Sequence, residues 1–307
     1  MEAPIEESRI TDKTTVPTAA NEPKLGSIMW AILIVAALAE ISYGMVNFSA
    51  TPVYVVSLGL DKSFIGIISM SYLLCESALK APFGVLGDRM GRKRLLVLAP
   101  LVSVLTALAT VFIDHLHSHW QVPALICLRA LDGVALAALW PSAFGIISDY
   151  SVAGQRAKAM SLFNISYMAG IACAPALGGA INDGATNLLN LQGLHQKQPS
   201  FYACAVLFAI TSLVAYRILP EGKPVTNEIS PESTEELSLE GGFNLIEFRK
   251  MLSQMPSVLW LAFTIFMGVG LIMSYAKPII CQHFAISEWE YGSMMLLPAF
   301  IVGTVSF

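Results

Sequence analysis

Apolar residues fall into long blocks along this chain, not into short alternating or amphipathic runs. A helix needs about 20 mostly apolar residues to cross the hydrocarbon core of a bilayer. Blocks of that kind cover approximately residues 28–50, 64–86, 95–114, 123–148, 158–183, 200–219, 256–280 and 290–307, which predicts eight spanning helices, the last cut short by the chain end. Glycines and prolines inside the blocks do not exclude helices, because neighbouring helices re-satisfy the freed backbone groups in lipid. The segment 220–255 differs from the other connections. It holds seven glutamates between Glu221 and Glu247, Pro224 and Pro231, and the run Ser-Pro-Glu-Ser-Thr-Glu-Glu. That composition predicts a flexible linker, dividing a six-helix unit at 28–219 from the start of a second unit at 256–307. Residues 1–27 are polar and lack the apolar core of a signal peptide, so they are read as a retained tail.

A weak internal repeat agrees with the division. Shifted by 226 residues, Gly44 falls on Gly270, Ala50 on Ala276, Pro52 on Pro278 and Gly66 on Gly292. The matches pair the first span with the seventh and the second with the eighth, as in carriers built from two parallel halves.

Composition points the same way. Charged residues make up 13% of the 307, against about 25% in a soluble domain, and 55% are hydrophobic, with a mean hydropathy of +0.64. So few charges cannot cover a water-facing surface of this size. The net charge of -4 gives no sign of nucleic-acid binding. Placement of the cations is more informative than their number. With the N-terminus in the cytoplasm, thirteen lie on the inner side: Arg9, Lys13, Lys24, Arg89, Arg92, Lys93, Arg94, Arg156, Lys158, Arg217, Lys223, Arg249 and Lys250. The outer loops hold Lys62 and Lys197, and Lys80, Arg129 and Lys277 fall within spans. This bias predicts a multi-pass protein of the plasma (inner) membrane with a cytoplasmic N-terminus. Cys75, Cys127, Cys173, Cys204 and Cys281 are scattered, without a C-x-x-C pair, so neither a zinc site nor a disulfide framework is suggested. His115, His117 and His119 alternate in an outer loop and read as a short solvated segment before a metal site. The methionines from Met267 to Met273 read as core or cavity wall.

Four ionisable residues inside spans stand out, because such groups are costly in lipid and rarely face it. Glu40 is near the centre of the first span, with no basic residue within four positions. A carboxylate held away from water takes up protons more readily and can exchange them near neutral pH. Glu40 is therefore a candidate for proton coupling or for attracting a cationic substrate, the plainer reading being a hydrogen-bonded acid between helices. Glu76 has Lys80 four residues on, and Arg129 has Asp132 three residues on; both pairs share a helical face. Glu76 reads as a structural ion pair, and Arg129–Asp132 as such a pair near the outer end of its helix.

Three motifs carry a family resemblance. The loop after the second span reads Gly84-Val-Leu-Gly-Asp88-Arg89-Met-Gly91-Arg92-Lys93. It resembles motif A of the major facilitator superfamily, G-x-L-x-D-R-x-G-R-K/R, at every defining position. Arg129-x-x-x-Gly133 is similar to the family's motif B, whose arginine is tied to proton coupling in many family antiporters, with Asp132 where a neutral residue is usual. Gly170-Ile-Ala-Cys-Ala-Pro175-Ala-Leu-Gly178-Gly179 resembles motif C of proton-coupled drug exporters, with Ala174 in place of a glycine and Ser161 where an upstream glycine is expected.

The resemblance implies an all-α membrane protein of the major facilitator fold: a complete N-terminal six-helix half plus the first two helices of the C-terminal half. In the family the motif-A loop latches the outward-facing state. Arg92 then pairs with Asp149 at the end of the fourth span, and Asp149-x6-Arg156 resembles a second inner-loop signature. The motif-A aspartate, Asp88, would face helix eleven, beyond residue 307. Spans one, four and seven line the family's central cavity, which adds Ser274 to the candidates. Residues 256–307, lacking partner helices, are expected to pack poorly.

The sequence contains no Walker loop, no Ser-His-Asp order and no paired metal motif. An ATP-driven pump and an enzyme are both disfavoured. The expectation is a monomeric secondary transporter without a cofactor, moving a small molecule by alternating access and drawing on protons. Export of hydrophobic or cationic compounds leads, followed by uptake of a metabolite such as a sugar or organic acid. A receptor or scaffold on the same fold is the third reading.

Overall fold

The computed structural model describes residues 26–151, 155–220 and 275–305, together with residues 257, 260 and 264; for 297–305 it describes the backbone alone. The polar tail to residue 25, most of the linker, Gly270, Ser274 and Met267 to Met273 lie outside the described residues. The first span is α1 (Ser27–Gly44), a π-helical stretch Met45–Ala50, and α2 (Thr51–Ser57). It is followed by α3 (Ser63–Met90), α4 (Arg92–Val111), α5 (Ser118–Tyr150), α6 (Arg156–Leu189) and α7 (Pro199–Ile218). A helix at 275–284, α8, and α9 (Glu288–Val305) complete the described chain. Among the described residues, six helical runs, beginning at Ser27, Ser63, Arg92, Ser118, Arg156 and Gly193, are long and apolar enough to cross a membrane. They coincide with the first six predicted spans.

The helices outrun the apolar blocks. Hydropathy registers only the lipid-matched stretch, whereas α3 and α5 continue through polar ends such as Gly87–Met90 and Ser148–Tyr150. Pro82, Pro100, Pro123, Pro141 and Pro175 sit inside helices, as lipid-embedded helices tolerate. The π stretch lies just before Pro52, which has no N–H to give; there the Thr51 N–H reaches back to the Val46 carbonyl. In the turn that follows this span, Asp61 accepts the Ser63 N–H at 2.8 Å and starts α3. Those bonds to Ser63 hold its carboxyl below the usual range.

Consecutive helices alternate in direction. One end of the bundle carries the α3–α4 turn and the α5–α6 connection. The other carries 58–62, the 3-10 turns Phe112–His115 and Gly193–Lys197, and the α8–α9 turn. The α3–α4 turn has room for one residue type. Gly91 adopts φ 97° and ψ 122°, a region that side chains essentially exclude.

α3 packs on α5, α4 on α5 and α7, and α1 on α6 and α7. Lipid tails are as apolar as leucine, so close packing holds such helices together, and small residues permit it. A Cβ on Gly133 would lie 2.3 Å from the Tyr72 carbonyl oxygen of α3. Rings fill the wider gaps: Tyr43 meets Phe208 at 4.6 Å and Tyr54 meets Phe201 at 5.3 Å between centroids. Leu105, Phe112 and Leu188 face outward, with Trp30 exposed towards one end and Trp120 and Trp289 towards the other, the placement of interfacial aromatic belts.

The expectation of poor packing beyond residue 256 does not hold for the part described. α9 lies along α6, and Lys277, Pro278, Glu288, Tyr291 and Gly292 are buried. The repeat-matched glycines mark both contacts. A Cβ on Gly66 would meet the Tyr275 hydroxyl at 2.7 Å, and one on Gly292 would meet Ala176 Cα at 2.4 Å. α9 lies on α6, while Tyr275 and Lys277 of α8 reach Gly66 of α3 and Ser49 of the first span.

Candidate functional site

Glu40 sits on α1 with 4% of its surface exposed. Its Oε2 has no hydrogen-bond partner among the described residues. The seat is made by α6: a Cβ on Gly170 would be 2.7 Å from Glu40 Cβ, so the first glycine of the motif-C-like run gives the acid its room. Glu76 and Lys80 of α3 are the charged groups that act on it. Glu76 is paired with Lys80 at 2.6 Å, with the lysine side chain 46% exposed.

Arg129 and Asp132 form a second buried centre between α4 and α5. The guanidinium Nη1 lies 2.7 Å from Asp132 Oδ2, and both residues are almost fully enclosed. Arg129 Nη2 donates to Thr110 Oγ1 at 2.9 Å, and Thr106 donates to Asp132. Tyr43, bonded to Ser103 at 2.8 Å, stands where it feels Asp132 as well as Glu40. The two opposite charges lie side by side, although Arg129 Nε and Nη1 make no hydrogen bond among the described residues. The position of this pair on α4–α5 and that of Glu40 on α1–α6 make two separate buried centres.

Motif A builds a third cluster at the α3–α4 turn. Arg92 donates Nε and Nη2 to Asp88 Oδ1 at 3.0 and 2.8 Å and Nη1 to Asp149. Its side chain crosses α5 over Gly145, where a Cβ would be 2.3 Å from Nε. Arg92 thereby ties α3, α4 and α5 together, including the Asp149 contact that the resemblance implied. Gly84 and Gly87 let α3 lie against Pro141 and Ser142. Lys93 lies 5.3 Å from the Tyr216 ring centroid, Arg156 donates to the Ser148 carbonyl at 3.2 Å, and Arg89 is exposed.

The rest of the motif-C-like run faces other helices. Pro175 is buried in α6. A Cβ on Gly178 would be 2.4 Å from Ser49 Oγ, and one on Gly179 would be 2.3 Å from the Glu288 carbonyl oxygen. In the histidine loop His115 contacts Asp114 at 2.6 Å, and the rings of His117 and His119 stack. Among the described residues, no three His, Cys, Asp or Glu side chains converge as for a metal. Sequence reasoning missed Glu288, Asn182 and Ser49, which gather around Lys277. A lysine inside an apolar block was the one available signal.

A sequence profile of the Major Facilitator Superfamily matches residues 32–307. The chain belongs to this superfamily. As a Major Facilitator chain it is an integral membrane protein, and the relatives it matches are transporters, not enzymes. It is 29% identical over 216 residues to the inner membrane transport protein YajR of Escherichia coli, covering 70% of this chain and 41% of that one. To the 4-hydroxybenzoate transporter PcaK of Pseudomonas aeruginosa it is 26% identical over 248 residues, 77% and 52% of the two chains. To the multidrug efflux pump LfrA of Mycolicibacterium smegmatis it is 35% identical over 115 residues, 36% and 21%. Among solved structures, a bacterial homologue of the human lysosomal transporter Spinster superposes with a TM-score of 0.67 at 19% identity, over 89% of this chain and 60% of the other. The chain spans about half the length of the curated relatives it matches first.

Proposed function

We propose that this Major Facilitator chain serves a secondary transporter that exports hydrophobic or cationic small molecules in exchange for protons, by alternating access. In this reading it lies in the plasma (inner) membrane with a cytoplasmic N-terminus, works as a monomer and uses the proton gradient without a cofactor. The observation that carries the proposal is Glu40, a buried carboxylate with one oxygen unpartnered among the described residues, seated on the motif-C-like Gly170. An acid without a fixed partner can hold a proton in one state and a cation or water in the other. Arg129–Asp132 and Glu76–Lys80 set the field around it, and the Arg92–Asp88–Asp149 cluster belongs to the gate at the inner end.

The test is flux in proteoliposomes under an imposed pH gradient, with a lipophilic cation such as ethidium as probe. Glu40→Gln is expected to abolish gradient-driven accumulation while leaving membrane insertion and monodispersity intact. Full coupling in that variant would remove Glu40 from the mechanism. Uptake of a metabolite is the second reading, favoured by similarity to PcaK over 77% of this chain. A drug-sensitivity panel in a pump-deficient host separates the two, since an uptake carrier confers no resistance.

A further inference from the structure

Lys277 is fully enclosed, although it is a lysine in an apolar helix. Its three N–H donors are matched by three acceptors: Glu288 Oε2 at 2.7 Å, Ser49 Oγ at 2.6 Å and the Ser49 carbonyl at 3.3 Å. Glu288 is equally occupied. Its Oε1 takes Lys197 Nζ at 2.6 Å, and its Oε2 also accepts Asn182 Nδ2 at 3.2 Å. Asn182 is held from behind by the Ser200 N–H at 3.0 Å. Beside them the Trp289 N–H donates to Asp183 at 3.0 Å, and the Gly66 N–H donates to the Tyr275 hydroxyl at 3.2 Å.

These contacts divide into two kinds. Lys277 and Glu288 both follow the linker and stay together when the two units part. The contacts to Ser49, Asn182, Asp183, Lys197 and Gly66 cross from one unit to the other. All of them lie towards the end opposite the motif-A turn, and Gly178 and Gly179 leave the space that Ser49 and the start of α9 occupy. We infer that Lys197, Glu288, Lys277 and Ser49 form an outer latch, which holds the two halves of the transporter together on the side opposite motif A. The Lys277–Glu288 pair orients the carboxylate, and Lys197 and Asn182 grip it only while this side is closed. Contacts present in one state alone bias the equilibrium between states. The latch rests on the alternating-access reading above, but its test measures position, not flux.

Spin labels carried by unnatural amino acids at Leu188 on α6 and Phe284 on α8, both strongly exposed, report separation of the halves at this end. Pulsed dipolar distances are recorded on the protein in lipid nanodiscs. Glu288→Gln and Lys197→Gln are each expected to raise the ratio of long to short distances about tenfold, as loss of a charge-assisted contact made in one state only should. Lys197→Arg is expected to stay near the unmodified ratio. Lys197 is at the rim, its side chain 24% exposed, so this variant decides the matter if Glu288→Gln fails to fold. Unchanged distances in Lys197→Gln would overturn the latch. Absent flux in the unmodified protein counts against the carrier reading alone and leaves the distance result to stand.

Discussion

The buried charges of this chain differ in how completely each is answered. Arg129 has Asp132 at 2.7 Å, three residues along the same helix, and that pairing was legible from spacing alone. Lys277 finds Glu288 eleven residues away, across the α8–α9 turn. No helical-face rule connects those positions, so the partner was invisible until the turn brought it back. Glu40 is the reverse case: its lack of a basic residue within four positions was legible in the sequence, while its seat on Gly170 belongs to tertiary packing. The pairing of Arg129 makes a sharp prediction. Asp132→Asn leaves an enclosed guanidinium without its counter-charge, which costs about 3–5 kcal/mol. It should sharply lower the melting temperature and the yield of monodisperse protein in detergent. Replacing both partners, Arg129→Met with Asp132→Leu, removes charge and countercharge together and should recover most of that loss by the same melt. If the double variant is as unstable as the single one, the cost lies in packing, not in charge.

At the scale of elements, six spans were readable because apolar length is the property that lipid selects. Their ends were not, because polar residues continue a helix that has already left the apolar block. The contacts between helices were less readable still. A run such as Gly170 to Gly179 announces close approach without saying to what, and in the fold its glycines serve three different neighbours: Glu40, Ser49 and the start of α9. Two glycines of α6 can be set against each other. Gly179→Ala places a methyl 2.3 Å from a backbone carbonyl of α9 and should cost about 1–3 kcal/mol of overpacking. At Gly184, exposed on the same helix, a Cβ meets nothing within 4 Å. Gly184→Ala should be neutral or stabilise by about 0.5–1 kcal/mol through backbone entropy. Thermal melts of the two variants, read side by side, separate close approach from helix propensity. Equal effects would mean that α6 and α9 do not meet as described.

Across the whole molecule, polar clusters sit at the two ends of an apolar bundle. At one end Arg92 binds Asp88 and Asp149, in the loop whose resemblance to motif A implies a latch on the outward-facing state. At the other end Lys197 and Lys277 close on Glu288. If each cluster grips in the state where its own side is shut, the two act on a single equilibrium with opposite sign. Arg92→Gln should then shift the long-to-short distance ratio between labels at Leu188 and Phe284 downward, while Lys197→Gln shifts it upward. The sites share no partner, so their free-energy effects should add. The double variant Arg92→Gln with Lys197→Gln is expected to return to within about twofold of the unmodified ratio, given additivity errors of roughly 0.3–0.5 kcal/mol. A double variant that behaves like either single one would show that only one cluster governs the opening of this end. The separate clusters would then be local braces on their helices, and the coupling of the two ends would have to run through the centres that hold Glu40 and Arg129.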